Sequence, residues 1–433
     1  MASTPFDIVN SGVSTHQKGD SSFWWHALGK SFASLLKSSS YDESDQLLFL
    51  LWFQQSVATS LGPTPIGGKA HYPSTFVFDG SPIEFSLNWK EKSPKRTVRF
   101  TIEPCSPQAG TVADPLNDNA AKDLLASISK EMPGTDLSLF DLFWSETRVP
   151  QQYAAQVSSK IPPGQPRHRA MVAFDLERGG GILPKAYFNP QLKAMSAGTT
   201  PLSVVSSAIR QCNGPGRSYD ACVDAFRDYL ESFGPDDAPL EIPIFSNDCT
   251  AVSSSTRIKV YLVTSSSTLA RVKDLFTLGG RISGPNITSG LELVTKFWCH
   301  IFNLDPSDPH VADKVVDDAV GPCIWGFEMR PNTEGQTNAS PEIEAKIYVL
   351  GSWLGKTDAQ VCKTLSTWFH DHGHPDFAEQ YQADLEAAFP KHDFNTPDKL
   401  IHTWISLTWT KKAGCYMTMY YSPRLPDLYY SQL

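Results

Sequence analysis

Three lysines of this sequence each stand two residues before a tyrosine, in segments where apolar and polar residues alternate. The pairs are Lys185 with Tyr187, Lys259 with Tyr261, and Lys346 with Tyr348. Residues i and i+2 of a β-strand point to the same face, so each lysine is predicted to lie beside its tyrosine. An ammonium group binds anions, and an aromatic face stabilises a cation. The pairs therefore predict a surface that holds an anion next to a developing positive charge.

Further cations and tyrosines extend the pattern at matching positions. They are Arg257, two residues before Lys259; Arg99, in the corresponding strand of an earlier hairpin; and Tyr416 and Tyr420, on one face of the last strand. A single Lys-x-Tyr pair is more often solvated, because long cationic side chains usually lie at the surface. Repetition in successive hairpins favours a common inner face instead.

A pocket that collects these cations and tyrosines suits an anionic group such as a diphosphate. Charge-assisted hydrogen bonds contribute about 1.5 to 3 kcal/mol each and would hold the diphosphate without a metal ion. Departure of the diphosphate leaves an allylic cation, which aromatic faces stabilise by about 0.5 to 2 kcal/mol. A closed aromatic chamber also excludes the water that would quench this cation. A diphosphate that leaves an allylic cation would use both properties of this pocket.

Glu84 is the candidate catalytic residue. It lies with Ser86 and Asn88 on the polar face of an alternating segment, 82–89. A partly desolvated carboxylate there would accept an indole N–H or a phenol O–H and raise the electron density of the ring. Alternating polar residues alone are typical of an exposed face. The interpretation depends on the neighbouring strands that carry the cations.

Hairpins separated by helical segments are predicted to position these residues. The strand pairs are 82–89 with 97–103, 168–176 with 181–188, 241–247 with 256–264, 323–329 with 343–350, and 403–410 with 415–421. The cation-bearing strands recur about every 80 residues, which suits five units in this chain. Paired strands indicate an antiparallel sheet, and ten such strands can close into a barrel. At that strand number the side chains no longer fill the interior of the barrel. The predicted fold is α/β, with ten antiparallel strands around a central chamber and helices outside.

Composition argues against other partners. A net charge of -9 and a pI near 5.7 disfavour nucleic-acid binding, so clustered cations must serve a local purpose. The eight cysteines are scattered and predict reduced thiols of a cytoplasmic protein. No targeting or membrane segment is evident. Both a monomer and a homodimer are compatible with the sequence.

Other functional classes rest on weaker patterns. A magnesium-dependent terpene synthase or diphosphate hydrolase needs a cluster of aspartates, but Asp236 and Asp237 precede Ala-Pro, and Asp317 and Asp318 lack a third aspartate. His370, Asp371, His372 and His374 resemble a metal site, yet they lie where a helix runs into Gly373 and Pro375. A non-catalytic barrel that binds an isoprenoid is the remaining alternative.

Several segments resemble the fungal dimethylallyltryptophan synthase family of aromatic prenyltransferases. They are PIEFSLNW with VRFTIEP, PKAYFNP, RIKVYL, AKIYVLG, and ISLTW with CYMTMYYSP. The resemblance covers nearly the whole chain and implies one domain, 1–433, folded as an ααββ prenyltransferase barrel. It also implies transfer of a dimethylallyl group from dimethylallyl diphosphate to an aromatic acceptor in secondary metabolism, with no metal cofactor.

The resemblance assigns roles by position. Glu84 matches the acceptor-binding glutamate. The diphosphate ligands would be Arg99, Lys185, Arg257 and Lys259, with Lys346 as an added cation where some members carry glutamine. The tyrosines that shield the cation would be Tyr187, Tyr261, Tyr348 and Tyr420. A C-terminal basic ligand, Lys411 or Lys412, is less securely aligned, and Trp404 stands where a shielding tyrosine is expected.

Departures from the family pattern concern the acceptor. Members that use free tryptophan carry an arginine before RIKVYL and a tyrosine after the KxYF motif, where this chain has EIPIFSN and Asn189. A lysine that accepts a proton in some members has no match in 171–176. The expected acceptor is therefore a larger indole, such as a tryptophan-containing cyclic dipeptide or an indole alkaloid, with a phenolic or polyketide aromatic as the alternative. Gly326 would leave room for longer donors.

Overall fold

Antiparallel strands close into a single barrel. The computed structural model describes residues 3–16, 19–162, 165–234, 237, 239–264, 268–316, 323–333 and 340–430. Within them the closed order is β1-β10-β9-β8-β7-β6-β5-β4-β3-β2. The strands are β1 Ile83–Lys90, β2 Ser93–Ile102, β3 Ala170–Glu177, β4 Gly181–Phe188, β5 Phe245–Asp248, β6 Ile258–Thr264, β7 Cys323–Arg330, β8 Glu342–Leu350, β9 His402–Thr410 and β10 Gly414–Tyr421.

Helices surround the barrel. They are α1 Pro5–His16, α2 Asp20–Ser38, α3 Glu43–Trp52, α4 Asn119–Glu131, α5 Ser138–Glu146, α6 Gln151–Lys160, α7 Pro190–Ala197, α8 Pro201–Arg210, α9 Asp220–Leu230, α10 Leu269–Phe276, α11 Pro285–Ile301, α12 Asp358–Asp371, α13 Pro375–Ala388 and α14 Leu425–Leu428. A π-helical turn, Phe53–Val57, extends α3, and a 3-10 turn, Gly351–Leu354, follows β8. No described helix is long and apolar enough to cross a membrane.

Alternation along each strand separates an outer apolar face from an inner polar one. On β1, Phe85 is fully buried and packs against Phe32 of α2, with ring centroids 6.1 Å apart. Phe100 of β2 also packs against Phe32, with ring centroids 5.6 Å apart. Burial of such rings is worth roughly 1.5–3 kcal/mol each, which fixes the register because a one-residue slip would expose them. The inner face is thereby reserved for Glu84, Arg99 and their neighbours.

The predicted barrel with external helices is confirmed, and most strands lie within two residues of their predicted bounds. β5 is shorter than expected because Pro243 has no N–H for the sheet ladder, and Glu241 forms only an isolated bridge with Val263. Arg257 lies just before β6, at the opposite end of this strand pair, so β6 begins two residues later than the predicted 256. Helix α2 begins at Asp20 with Gly19 as its N-cap, and no side-chain hydrogen bond caps it.

The connectivity gives the barrel two distinct ends. The turns between paired strands, such as Glu91-Lys92 and Lys411–Ala413, all lie at one end, which we call the hairpin end. The chain passes between successive hairpins at the opposite, or far, end. The main hydrophobic core contains residues from Val9 to Tyr430, and the single-domain organisation stays a prediction.

Candidate active site

The predicted site residues share the inner face of the barrel. Register pairs place Arg99 opposite Asp175, Lys185 opposite Asp248, and Lys259 opposite Glu328. Lys346, Tyr187, Tyr348 and Tyr420 are partly accessible although they lie inside a closed barrel. They therefore border an internal space that admits water-sized molecules.

A first group of charges is centred on Asp175. Its Oδ2 accepts from Lys185 Nζ at 2.5 Å and lies 3.0 Å from Arg99 Nη2. Burial alone would raise the pKa of Asp175, but Arg99 and Lys185 outweigh it and lower that pKa. Burial lowers the pKa of Lys185. The carboxylate holds two cations side by side that would otherwise repel each other.

A second group is centred on Asp248. Arg257 Nε donates to its Oδ2 at 2.7 Å, and Lys259 Nζ donates to its Oδ1 at 3.1 Å. Arg257 also pairs with Glu328, with Nη1 and Oε2 separated by 3.2 Å. Burial opposes ionisation of Asp248, yet the surrounding cations keep its pKa well below the usual range. Both groups thus hold the predicted diphosphate ligands in position on the inner face.

Sequence reasoning missed these carboxylates. Asp175, Asp248 and Glu328 have the same strand parity as the cations, so alternation placed them on the inner face. That signal was available, but only the register shows which cation each one pairs with. The site is an alternating network of charges rather than a purely cationic pocket.

Lys346 differs from the other cations. No carboxylate of the described residues lies within ion-pair distance of its Nζ, which donates to Thr418 Oγ1 at 3.4 Å. The nitrogen lies 4.5 Å from the centre of the Tyr416 ring and 5.5 Å from that of Tyr348. Burial lowers the pKa of Lys346 to about 8. An anion would meet little competition for this ammonium group.

The predicted shielding tyrosines form a continuous arc. Ring centroids are 6.1 Å apart for Tyr187 and Tyr261, 5.9 Å for Tyr261 and Tyr348, and 5.9 Å for Tyr348 and Tyr420. A Cβ on Gly326 would lie 3.2 Å from the Tyr348 ring and 3.3 Å from the Tyr261 ring. The rings therefore already occupy the space that the missing side chain leaves, and a longer donor would have to displace them.

Tyr416 was left out of the predicted shield, although its face was identified. Its hydroxyl accepts from Arg99 Nη1 at 2.8 Å and from Asn88 Nδ2 at 3.0 Å. Burial opposes its ionisation, but Arg99 and Lys346 outweigh this effect and lower the pKa of Tyr416 to about 7. This tyrosine belongs to the charged network rather than to the arc.

Glu84 lies apart from the cations, toward the far end. Its side chain is 5% exposed, and Thr403 Oγ1 donates to Oε1 at 2.5 Å. Burial raises the pKa of Glu84 to about 8, the Thr403 bond opposes this, and Asp79 adds to it. No described cation is close enough to contribute to that shift. No donor among the described residues reaches the second oxygen, Oε2, so this oxygen can accept an N–H or an O–H.

The remaining candidates lie elsewhere. Lys411 and Lys412 are exposed in the last hairpin turn, and His370 is exposed at the end of α12. Asn189 caps α7 and donates to backbone carbonyl groups at the barrel end, whereas Trp404 packs against Phe78. Of the aspartates considered for magnesium, Asp236, Asp317 and Asp318 lie outside the described residues.

The closed barrel with this inner face defines the class of aromatic prenyltransferases. The family model described as tryptophan dimethylallyltransferase matches residues 20–384. Prenyltransferase iacE of Pestalotiopsis fici is 43% identical, over 98% of this chain and 95% of the relative. A 7-dimethylallyltryptophan synthase of Aspergillus fumigatus is 29% identical, over 98% and 89%.

Solved structures agree with these relatives. AnaPT from Neosartorya fischeri superposes with a TM-score of 0.81 at 26% identity, covering 97% of this chain and 98% of that one. NotF in complex with brevianamide F and DMSPP gives 0.78 at 26%, covering 98% and 99%. The chain belongs to the tryptophan dimethylallyltransferase family and is a prenyltransferase, which excludes the non-catalytic alternative.

Proposed function

We propose that this protein transfers a dimethylallyl group from dimethylallyl diphosphate to a neutral indole, such as a tryptophan-derived cyclic dipeptide or an indole alkaloid. The observation that carries the proposal is the arrangement along the chamber. Cations lie at the hairpin end, an arc of tyrosines follows, and a buried carboxylate lies toward the far end. Diphosphate, allylic cation and acceptor would occupy these three regions in that order.

The donor region supplies positive charge without a metal. Arg99, Lys185, Arg257, Lys259 and Lys346 would surround the diphosphate. Each charge-assisted hydrogen bond contributes about 1.5–3 kcal/mol, so three or four of them suffice for tight binding. The same contacts stabilise the departing diphosphate, because its negative charge grows as the C–O bond breaks.

The arc of tyrosines supports a cationic intermediate. Four π-faces lie in an unbroken series, and an allylic cation beside them gains about 0.5–2 kcal/mol per good contact. The rings also limit the approach of water to that cation. The allylic cation therefore reacts with the aromatic acceptor faster than it reacts with water.

The acceptor region favours a neutral substrate. Glu84 would accept the indole N–H and increase the electron density of the ring. No described cation acts on this carboxylate, so the α-carboxylate of free tryptophan would find no partner close to Glu84. Among solved relatives, NotF holds brevianamide F together with DMSPP, which supports simultaneous binding of an acceptor and a diphosphate donor.

A phenolic or polyketide acceptor is the second candidate. Glu84 has one oxygen bound by Thr403 and one open oxygen, and a phenol O–H fits that open oxygen as well as an indole N–H does. The rings that close over Gly326 favour dimethylallyl over longer donors.

A mass-spectrometric screen with excess EDTA tests the proposal. Dimethylallyl diphosphate is offered with free tryptophan, tryptophan-containing cyclic dipeptides and hydroxylated polyketides, and prenylated products are quantified. We expect transfer to a cyclic dipeptide at a higher kcat/KM than to tryptophan. Complete loss of transfer on adding EDTA would refute metal independence, and exclusive use of free tryptophan would refute the acceptor assignment.

A further inference from the structure

Tyr416 occupies an unusual position for a neutral phenol. Its oxygen receives two N–H donors, from Arg99 at 2.8 Å and Asn88 at 3.0 Å. Lys346 Nζ lies 4.5 Å from the ring centre. A phenolate is an acceptor only, so it uses both donors and gains from both cations, whereas a phenol must find a separate acceptor for its O–H.

The charges around Tyr416 come from most of the barrel wall. Among the described residues, those that face it are Lys90 of β1, Arg99 of β2, Asp175 of β3, Lys185 of β4, Arg257 before β6, and Lys346 of β8. Five are cations, and the single carboxylate is already paired with Arg99 and Lys185. The balance favours a negative charge on the Tyr416 oxygen and agrees with its lowered pKa of about 7.

We propose that Tyr416 is a phenolate until a diphosphate binds and that binding makes it take up one proton. This inference rests on the proposed function, because the cations that stabilise the phenolate are the ones assigned to the diphosphate. A diphosphate would draw Arg99 and Lys346 toward itself and place its own negative charge beside the ring. Tyr416 then becomes a phenol whose O–H can donate to the diphosphate.

Asn88 is suited to both states of Tyr416. Its Nδ2 donates to the phenolate, while its Oδ1 is buried and has no hydrogen-bond partner among the described residues. Rotation of the amide would present Oδ1 to the phenol O–H. Asn88 can therefore keep a hydrogen bond to Tyr416 when the Tyr416 oxygen gains a proton, and also when that oxygen moves away from Arg99.

Near-ultraviolet absorption measures the phenolate directly. The ligand-free protein is titrated from pH 6 to pH 9, and we expect the absorbance of one tyrosinate to appear about pH 7. Tyr416→Phe should lose this step, and Lys346→Gln should move it to higher pH because one stabilising cation is gone. Tyr420→Phe is the matched control and should keep it, because the pKa of Tyr420 is raised by burial rather than lowered.

Inorganic pyrophosphate is then added at pH 8, with binding followed by calorimetry in two buffers of different ionisation enthalpy. We expect the tyrosinate band to disappear on binding in the wild type, together with proton uptake that falls by about one proton in Tyr416→Phe. Absence of a tyrosinate below pH 9, or pyrophosphate binding that leaves the band intact, would overturn the inference while leaving the proposed function standing. A protein that shows the band but does not bind pyrophosphate would instead overturn the donor site and, with it, the coupling.

Discussion

Replacement of Glu84 by glutamine separates its proposed catalytic role from its effect on folding. The side chain is buried, and Thr403 is its one hydrogen-bond donor among the described residues. Glutamine has nearly the same shape and can still accept from Thr403, but it carries no charge. We therefore expect a folded variant that binds dimethylallyl diphosphate as the wild type does.

The pKa of Glu84, raised by burial from 4.5 to about 8, sets the size of the effect on stability. Below pH 4.5 both the folded and the unfolded carboxyl are protonated, so the group has no effect on stability there. Between pH 4.5 and pH 8 the unfolded state loses its proton first, so the wild type becomes less stable as pH rises. From pH 5 to pH 8 this loss is on the order of 3 kcal/mol, and Glu84→Gln is free of it.

The assay combines urea unfolding at pH 5 and pH 8 with turnover at both values. We expect the stability of Glu84→Gln relative to the wild type to increase by about 3 kcal/mol between these pH values. Transfer should fall about 10²- to 10⁴-fold, the usual contribution of a positioned acid or base. Wild-type kcat/KM for the acceptor should rise with pH as Glu84 loses its proton.

Glu103→Gln is the matched control. Glu103 is also buried, its pKa is raised by burial to about 7, and it accepts from Ser74. This variant should show a smaller gain in stability at high pH and should keep transfer. Undiminished turnover in Glu84→Gln would refute the catalytic role, and parallel stability curves for it and the wild type would refute the raised pKa.

Three further predictions concern the network, the arc and the scaffold. Lys346→Gln should weaken pyrophosphate binding, measured by calorimetry, about 10- to 100-fold because it removes one charge-assisted hydrogen bond. Lys95 is exposed, and Lys95→Gln should bind pyrophosphate as the wild type does. Equal affinities of Lys346→Gln and the wild type would contradict the prediction. Tyr348→Ala should raise the ratio of prenyl alcohol to prenylated product, measured by chromatography, since it opens the arc; an unchanged ratio would count against shielding. Asp358 is fully buried and accepts from the rings of His392 and His402, each at 2.6 Å. Asp358→Asn should therefore lower the free energy of unfolding in urea by about 3 kcal/mol. A decrease of less than about 1 kcal/mol would exclude a structural role for this residue.

Much of the barrel was predictable because β-strands have a simple period. Apolar residues at every second position of 83–89 and 98–102 require one face to be buried. Glu84 and Arg99 must then lie on the other face of their strands, independently of the remaining fold. Repetition of the same argument in later hairpins predicted a shared inner face and a chamber.

Strand ends and helix caps were less predictable because they depend on particular local contacts. Pro243 delays the start of β5 because it lacks a donor for the ladder. At the start of α2, Gly19 is the N-cap although Ser21 and Ser22 follow closely, and no side-chain hydrogen bond caps the helix. Local propensity is overridden wherever packing determines the angle at which an element enters the fold.

Alternation, read from the sequence, determined that Lys185, Lys259 and Lys346 share a face with their tyrosines and that Glu84 faces the same space. Tertiary structure decided which charges meet. The pairing of Asp175 with Arg99 and Lys185, the isolation of Lys346, and the donors on Tyr416 all depend on the register between strands far apart in the chain. The physical reason is that a strand's period determines which way a side chain points, whereas only closure of the barrel determines its neighbours.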